Sequence, residues 1–116
     1  MSFVSCFDVV SMVVEEATSR FAPLWKLDKQ NNKILEQYCS VIDSLAAEFG
    51  GESFEVDVDE IAMTITITME CADMTIESNT HKFYSLARRA MALGFSATKE
   101  GNLNVKFVFP SVWTRA

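Results

Sequence analysis

The most regular hydrophobic pattern in the chain lies in residues 54–71, where apolar and polar side chains alternate. A period of two is typical of β-strands that bury one face. The apolar residues are even-numbered up to Val58 and odd-numbered from Ile61 onward. This change of phase predicts a hairpin with a two-residue turn at Asp59 and Glu60, which places Val58 opposite Ile61 and keeps both apolar sets on one face.

Two segments before this hairpin show the three-and-four spacing of amphipathic helices. The first carries an apolar stripe from Phe3 to Phe21 and should end before Pro23, since the residue before a proline avoids helical angles. The second covers residues 28–49 and should end at Gly50, which can adopt the left-handed conformation.

A third helix is predicted after the hairpin, with apolar positions from Phe83 to Met91 and an end at Gly94. Polar residues at helix starts satisfy free backbone N–H groups. The candidate N-caps are Ser2 for the first helix and Ser78, Asn79 or Thr80 for the third.

The apolar phase changes again after Cys71, with Met74 and Ile76 now apolar. This change leaves two interpretations: a β-bulge, or a turn at Ala72 and Asp73 into a short third strand.

A last hairpin is predicted near the C-terminus, between residues 95–99 and 103–109. Its loop of Glu100, Gly101 and Asn102 has glycine in the middle.

The predicted order is helix, helix, two or three strands, helix, two strands, in a single domain of residues 1–116. Consecutive hairpins predict the α+β class, with an antiparallel sheet of four to five strands and helices packed on one face. This order resembles that of the type III secretion chaperones, which are small, acidic and usually dimeric. The terminal helix of that family has no counterpart here, so the resemblance covers element order only.

Charge is distributed unevenly along the chain, which has a net charge of −6. Residues 34–81 contain eleven acidic residues and no Lys or Arg, whereas the rest has five acids and ten Lys or Arg. Acids on an exposed sheet face commonly form a solvated surface that resists aggregation. The alternative is that these acids form a docking surface for a basic protein. Such an acidic surface would repel nucleic acid as a direct ligand. The predicted partner-binding acids are Glu55, Asp57, Asp59, Glu60 and Glu70.

Two further surfaces are candidates for contact with a partner. Arg88 and Arg89 lie on the third helix, either as an exposed face or as a contact for the acidic sheet of a second copy. The C-terminal segment "FVFPSVWTRA" is apolar on both sides of the strand, at Val108, Val112 and Trp113. Either the first helix covers this edge, or the edge is the seam of a homodimer.

The sequence contains no recognisable catalytic or metal-binding set. His81 is the only histidine, and Cys39 or Cys71 as its nucleophile is supported by no catalytic signature. One histidine and three scattered cysteines do not make a zinc site, and the acids around Asp57 lack the glycine of a calcium loop. We therefore predict no catalytic residue, no cofactor and no metal.

We expect a cytoplasmic, non-catalytic protein-binding module that is homodimeric and acts through its acidic sheet face or its apolar C-terminal edge. Free cysteines, with no membrane span or signal peptide, favour this location. Such a module would be an adaptor, a chaperone-like protein or an inhibitor of a basic target. One alternative is a small enzyme or small-molecule binder with a pocket between helices and sheet. Its lining would be Met63, Met69, Tyr38 and His81. Another alternative is a structural subunit of a larger complex.

Overall fold

Three helices and six strands make up the part of the chain that the computed structural model describes, residues 5–75 and 77–116. The helices are α1 (Cys6–Phe21), α2 (Lys29–Phe49) and α3 (Glu77–Leu93). The strands are β1 (Trp25–Leu27), β2 (Gly51–Asp59), β3 (Thr64–Cys71), β4 (Ser96–Glu100), β5 (Asn104–Phe109) and β6 (Trp113–Arg115). Within these residues, none of the helices combines the length and apolar character needed to cross a bilayer.

The main sheet is antiparallel, with strand order β2-β3-β5-β4. Its inner face is apolar and buried, with Ile65, Ile67 and Phe107 fully covered. The helices pack on that face, while the polar positions of the same strands remain exposed or half-buried. The predicted α+β class, with an antiparallel sheet and helices on one face, is confirmed.

Helix α1 begins later than predicted. The hydroxyl of Ser5 accepts a hydrogen bond from the N–H of Asp8 at 3.2 Å and caps the helix. The predicted cap Ser2 and the first stripe residue Phe3 lie outside the described residues. The helix ends at Phe21, followed by the extended Ala22, as Pro23 predicts.

Helix α2 follows its prediction closely. Asp28 caps its start by accepting the N–H of Asn31 at 2.8 Å, and Gly50 ends it in the left-handed conformation at φ 68°. The predicted apolar stripe is buried throughout: Leu35, Tyr38, Ile42, Leu45 and Phe49.

The β2–β3 hairpin exists, but its predicted turn is wrong. Val58 pairs with Ile65 rather than Ile61, so the loop spans residues 60–63. The carboxylate of Asp59 accepts the N–H groups of Ile61 and Ala62 at 2.9 and 3.0 Å, and Met63 adopts φ 56°. These bonds stabilise the longer loop and leave Ile61 98% exposed. The pairing moves by an even number of residues, so each side chain keeps its predicted face.

The segment after β3 forms a 3₁₀ turn, Ala72–Thr75, instead of a short strand or bulge, and Ile76 lies outside the described residues. Helix α3 starts at Glu77, so the three candidate caps lie within its first turn rather than before it. Its predicted apolar face is buried at Phe83 and Ala90, but Met91 is 73% exposed.

The last hairpin has a three-residue loop, shifted by one residue from the prediction. Glu100 pairs with Asn104, and Gly101 takes the left-handed conformation at φ 63°. Val105, Phe107 and Phe109 of its second strand are buried.

A second, two-stranded sheet was not predicted. Strand β6 pairs antiparallel with β1, so that Leu27 lies opposite Trp113. The pairing returns the C-terminal segment to the α1–α2 connection.

Candidate functional site

The outer face of the main sheet has a regular arrangement of polar side chains, which the strand register defines. One row across the sheet is Asp57, Thr66, Val108 and Ser96. The next row is Glu55, Thr68, Lys106 and Thr98. Further rows place Asp59 opposite Thr64, and Glu70 opposite Asn104 and then Glu100. We call this surface the outer face.

The acids of the outer face are concentrated on the edge strand β2. Glu55 and Asp57 are exposed and lie opposite threonines, which carry no charge. Lys106 is the basic residue in these rows, and it lies two strands from Glu55, or about 10 Å. Its ammonium group is 3.6 Å from the carboxylate of Glu100, which lies on β4 at the opposite edge of the sheet from β2. The negative charge of β2 is therefore uncompensated on this face.

Two of the predicted partner-binding acids already have contacts within the chain. The carboxylate of Glu60 forms an exposed ion pair with Arg20 of α1 at 2.5 Å. Asp59 uses its carboxylate to hold the β2–β3 loop. Of the predicted acids, this leaves Glu55 and Asp57 on β2 and Glu70 on the neighbouring strand, all three exposed.

The two arginines lie on the opposite side of the molecule from these acids. Arg88 and Arg89 are both exposed on α3, which packs on the inner side of the sheet. In the described part of the chain, neither arginine forms an ion pair.

The apolar C-terminal edge is covered by the chain itself. Val112 and Trp113 are each 3% exposed. The indole N–H of Trp113 donates to the hydroxyl of Thr18 at 2.7 Å, and the amide of Asn31 donates to the carbonyl of Val112 at 2.9 Å. Of the three apolar candidates, only Val108 remains half-buried on the outer face.

Three of the four residues proposed for a small-molecule pocket are buried in the core, and the fourth is exposed. Tyr38, Met63 and Met69 are buried, and the ring of Tyr38 packs on Phe109 at a centroid distance of 5.0 Å. His81 is exposed on α3.

The cysteine thiols lie in the core, and burial raises the pKa of Cys71 to about 11, with a further contribution from the charge of Asp73. This thiol is therefore protonated at neutral pH. Among residues 5–75 and 77–116, no three His, Cys, Asp or Glu side chains converge as a metal site requires.

A groove between α1 and α2 has no counterpart among the sequence predictions. The helices are antiparallel, because the N–H of Cys6 at the start of α1 donates to Asp43, late in α2, at 2.8 Å. Two depressions of about 420 and 440 Å³ lie along their outer surface, and Phe7 lines both. The first is lined by Phe7, Ser11, Val14, Glu15, Thr18, Leu27, Asp28, Lys29 and Asn32, and the second by Phe7, Glu36, Ser40, Asp43, Ser44 and Ala47. We call these residues the α1–α2 groove.

Comparison with protein-family models, with curated proteins and with solved structures gives no significant match. The resemblance in element order to the type III secretion chaperones therefore gains no support from them.

Proposed function

We propose that this protein is a non-catalytic binding module whose outer face docks a protein with a basic surface. The observation that carries the proposal is the uncompensated charge of Glu55 and Asp57 on a sheet face against which none of the described helices packs. Solubility alone does not require that the charges on an exposed sheet face all be negative. Threonines and lysines would keep such a face soluble equally well.

Charge complementarity supports a basic partner over other classes. An acidic face steers a positively charged surface toward itself and repels phosphates, so nucleic acid is not expected as a direct ligand. The central threonine column of Thr64, Thr66 and Thr68 can add hydrogen bonds beside the acids. The free cysteines support a reducing, cytoplasmic setting.

Affinity capture with three immobilised proteins tests this proposal. The first is the wild type, and the second carries Glu55→Gln and Asp57→Asn. The third is a matched control with the same loss of charge, Glu16→Gln and Glu48→Gln, at exposed helical positions. Each is exposed to lysate of the source cell at low and at high salt.

We expect a basic protein that binds the wild type and the control at low salt and is lost at high salt or with the outer-face variant. The proposal is overturned if no basic protein is retained by the wild type. It is also overturned if the outer-face variant and the control retain the same proteins equally.

A further inference from the structure

Helix α3 presents an exposed stripe that is both apolar and basic. Tyr84 is 62% exposed and Met91 is 73% exposed. Together with Arg88 they follow a spacing of four and three, so the three side chains form one line along the helix. Large apolar groups aligned on an exposed helix commonly mark a contact surface.

The α1–α2 groove has the opposite charge and a suitable apolar base. Its acids are Glu15, Asp28, Glu36 and Asp43, beside a single lysine, Lys29, at one end. Phe7 lies between the two depressions and Val14 forms part of the floor. A groove of this composition suits a basic amphipathic helix, which lays its apolar side chains into the groove.

The spacing of the stripe agrees with that of the depressions. Tyr84 and Met91 are seven residues apart, or about 10 Å along α3. Asn32 and Ser40 line the first and the second depression, and eight residues, or about 12 Å, separate them along α2. Tyr84 and Met91 can therefore occupy one depression each, with Arg88 between them near the acids.

The placement of these surfaces in the fold allows a closed dimer. Stripe and groove both lie in the helical layer, on the same side of the sheet. A two-fold axis between them lets each α3 meet the groove of the other copy, so both contacts form at once. Contact between α3 and the outer face of a second copy would instead leave one free surface at each end and produce an open chain.

We propose that the protein forms a two-fold homodimer in which the Tyr84–Arg88–Met91 stripe of each copy lies in the α1–α2 groove of the other. The dimer leaves the outer face free on both copies. The proposal is independent of the function proposed for that face, because the two surfaces share no residue.

Charge reversal tests the dimer, with sedimentation equilibrium of the purified full chain as the measurement. Arg88→Glu makes the stripe acidic, and Glu36→Arg makes the groove more basic. Each variant alone should weaken self-association about tenfold or more, because two symmetric contacts change from attraction to repulsion. An equimolar mixture of the two variants should recover a dimer, since acidic stripe then meets basic groove and basic stripe meets acidic groove.

Glu100→Lys on β4 is the matched control, because it reverses one exposed charge on the outer face, which lies across the sheet from stripe and groove. It should dimerise like the wild type. All of these positions are exposed, and circular dichroism checks that each variant is folded. A wild type that stays monomeric up to about 100 μM overturns the proposal. So does a dimer that both reversals leave intact, or two weakened variants whose mixture does not associate.

Discussion

The indole N–H of Trp113 donates to the hydroxyl of Thr18 at 2.7 Å and joins the last strand to the first helix across 95 residues of sequence. The ring of Phe21 meets the same indole edge-to-face at a centroid distance of 5.1 Å. Trp113 is 3% exposed, so water cannot replace this hydrogen bond. The C-terminal segment is therefore part of the core rather than an exposed apolar edge.

Thr18→Val should destabilise the protein by about 1–3 kcal/mol, because it leaves the buried indole N–H without an acceptor. Chemical denaturation in urea measures the change in the free energy of unfolding. Ser19→Ala, at the next and exposed position of α1, should change it by about 0.5 kcal/mol or less. Equal effects of the two substitutions would contradict the role given to this hydrogen bond.

Asp59→Ala should cost about 1 kcal/mol, because the N–H groups of Ile61 and Ala62 lose their acceptor. Asp59→Asn retains a side-chain oxygen and should stay close to the wild type. Urea denaturation compares the three proteins. If Asn destabilises as much as Ala, the loop depends on the charge of Asp59 rather than on its hydrogen bonds.

Asp43 should make the free energy of unfolding fall as the pH rises through the carboxylate range. Burial raises the pKa of Asp43, and Asp8 adds to this, while the hydrogen bond from Cys6 opposes it. The folded state thus binds the proton more tightly than the unfolded state, and its advantage disappears once Asp43 ionises.

The stability of Asp43→Asn relative to the wild type should therefore be greater at pH 7 than at pH 4, as measured by urea denaturation at both values. Glu48→Gln, an exposed change on the same helix, is the control and should show a smaller difference. A relative stability of Asp43→Asn that falls between pH 4 and pH 7 would contradict the direction of the pKa change.

All three cysteines should resist thiol reagents in the folded protein at neutral pH, since all are buried and the pKa values of Cys6 and Cys71 are raised. The pKa of Cys6 is raised first by a hydrogen bond with the thiol of Cys39 and then by burial. Ellman's reagent should report three thiols in denaturant and almost none in the native state. Rapid native labelling would show that the core opens.

Periodicity predicted which residues of this fold are buried far better than which residues pair. The inner positions of β2 and β3 follow from alternation alone, but two registers that differ by an even shift bury the same side chains. The choice between them depends on the side chain of Asp59 and the left-handed Met63, which local pattern does not encode.

The long-range contacts were beyond prediction for a different reason. Strands β1 and β6 have three residues each, too few for a detectable alternation, and their pairing accompanies the burial of Trp113 beside Thr18. The acids of the outer face were predictable, because alternation fixes their direction. The loop contacts of Asp59 and the ion pair of Glu60 with Arg20 depend on tertiary structure.

The affinity of the purified captured partner for the wild type and for the variant with Glu55→Gln and Asp57→Asn tests the central claim most directly. Titration calorimetry at low salt should give a dissociation constant about tenfold higher for this variant, because two charges that face the partner are lost. The control with Glu16→Gln and Glu48→Gln should bind like the wild type. Equal affinities for all three proteins would contradict docking on the outer face.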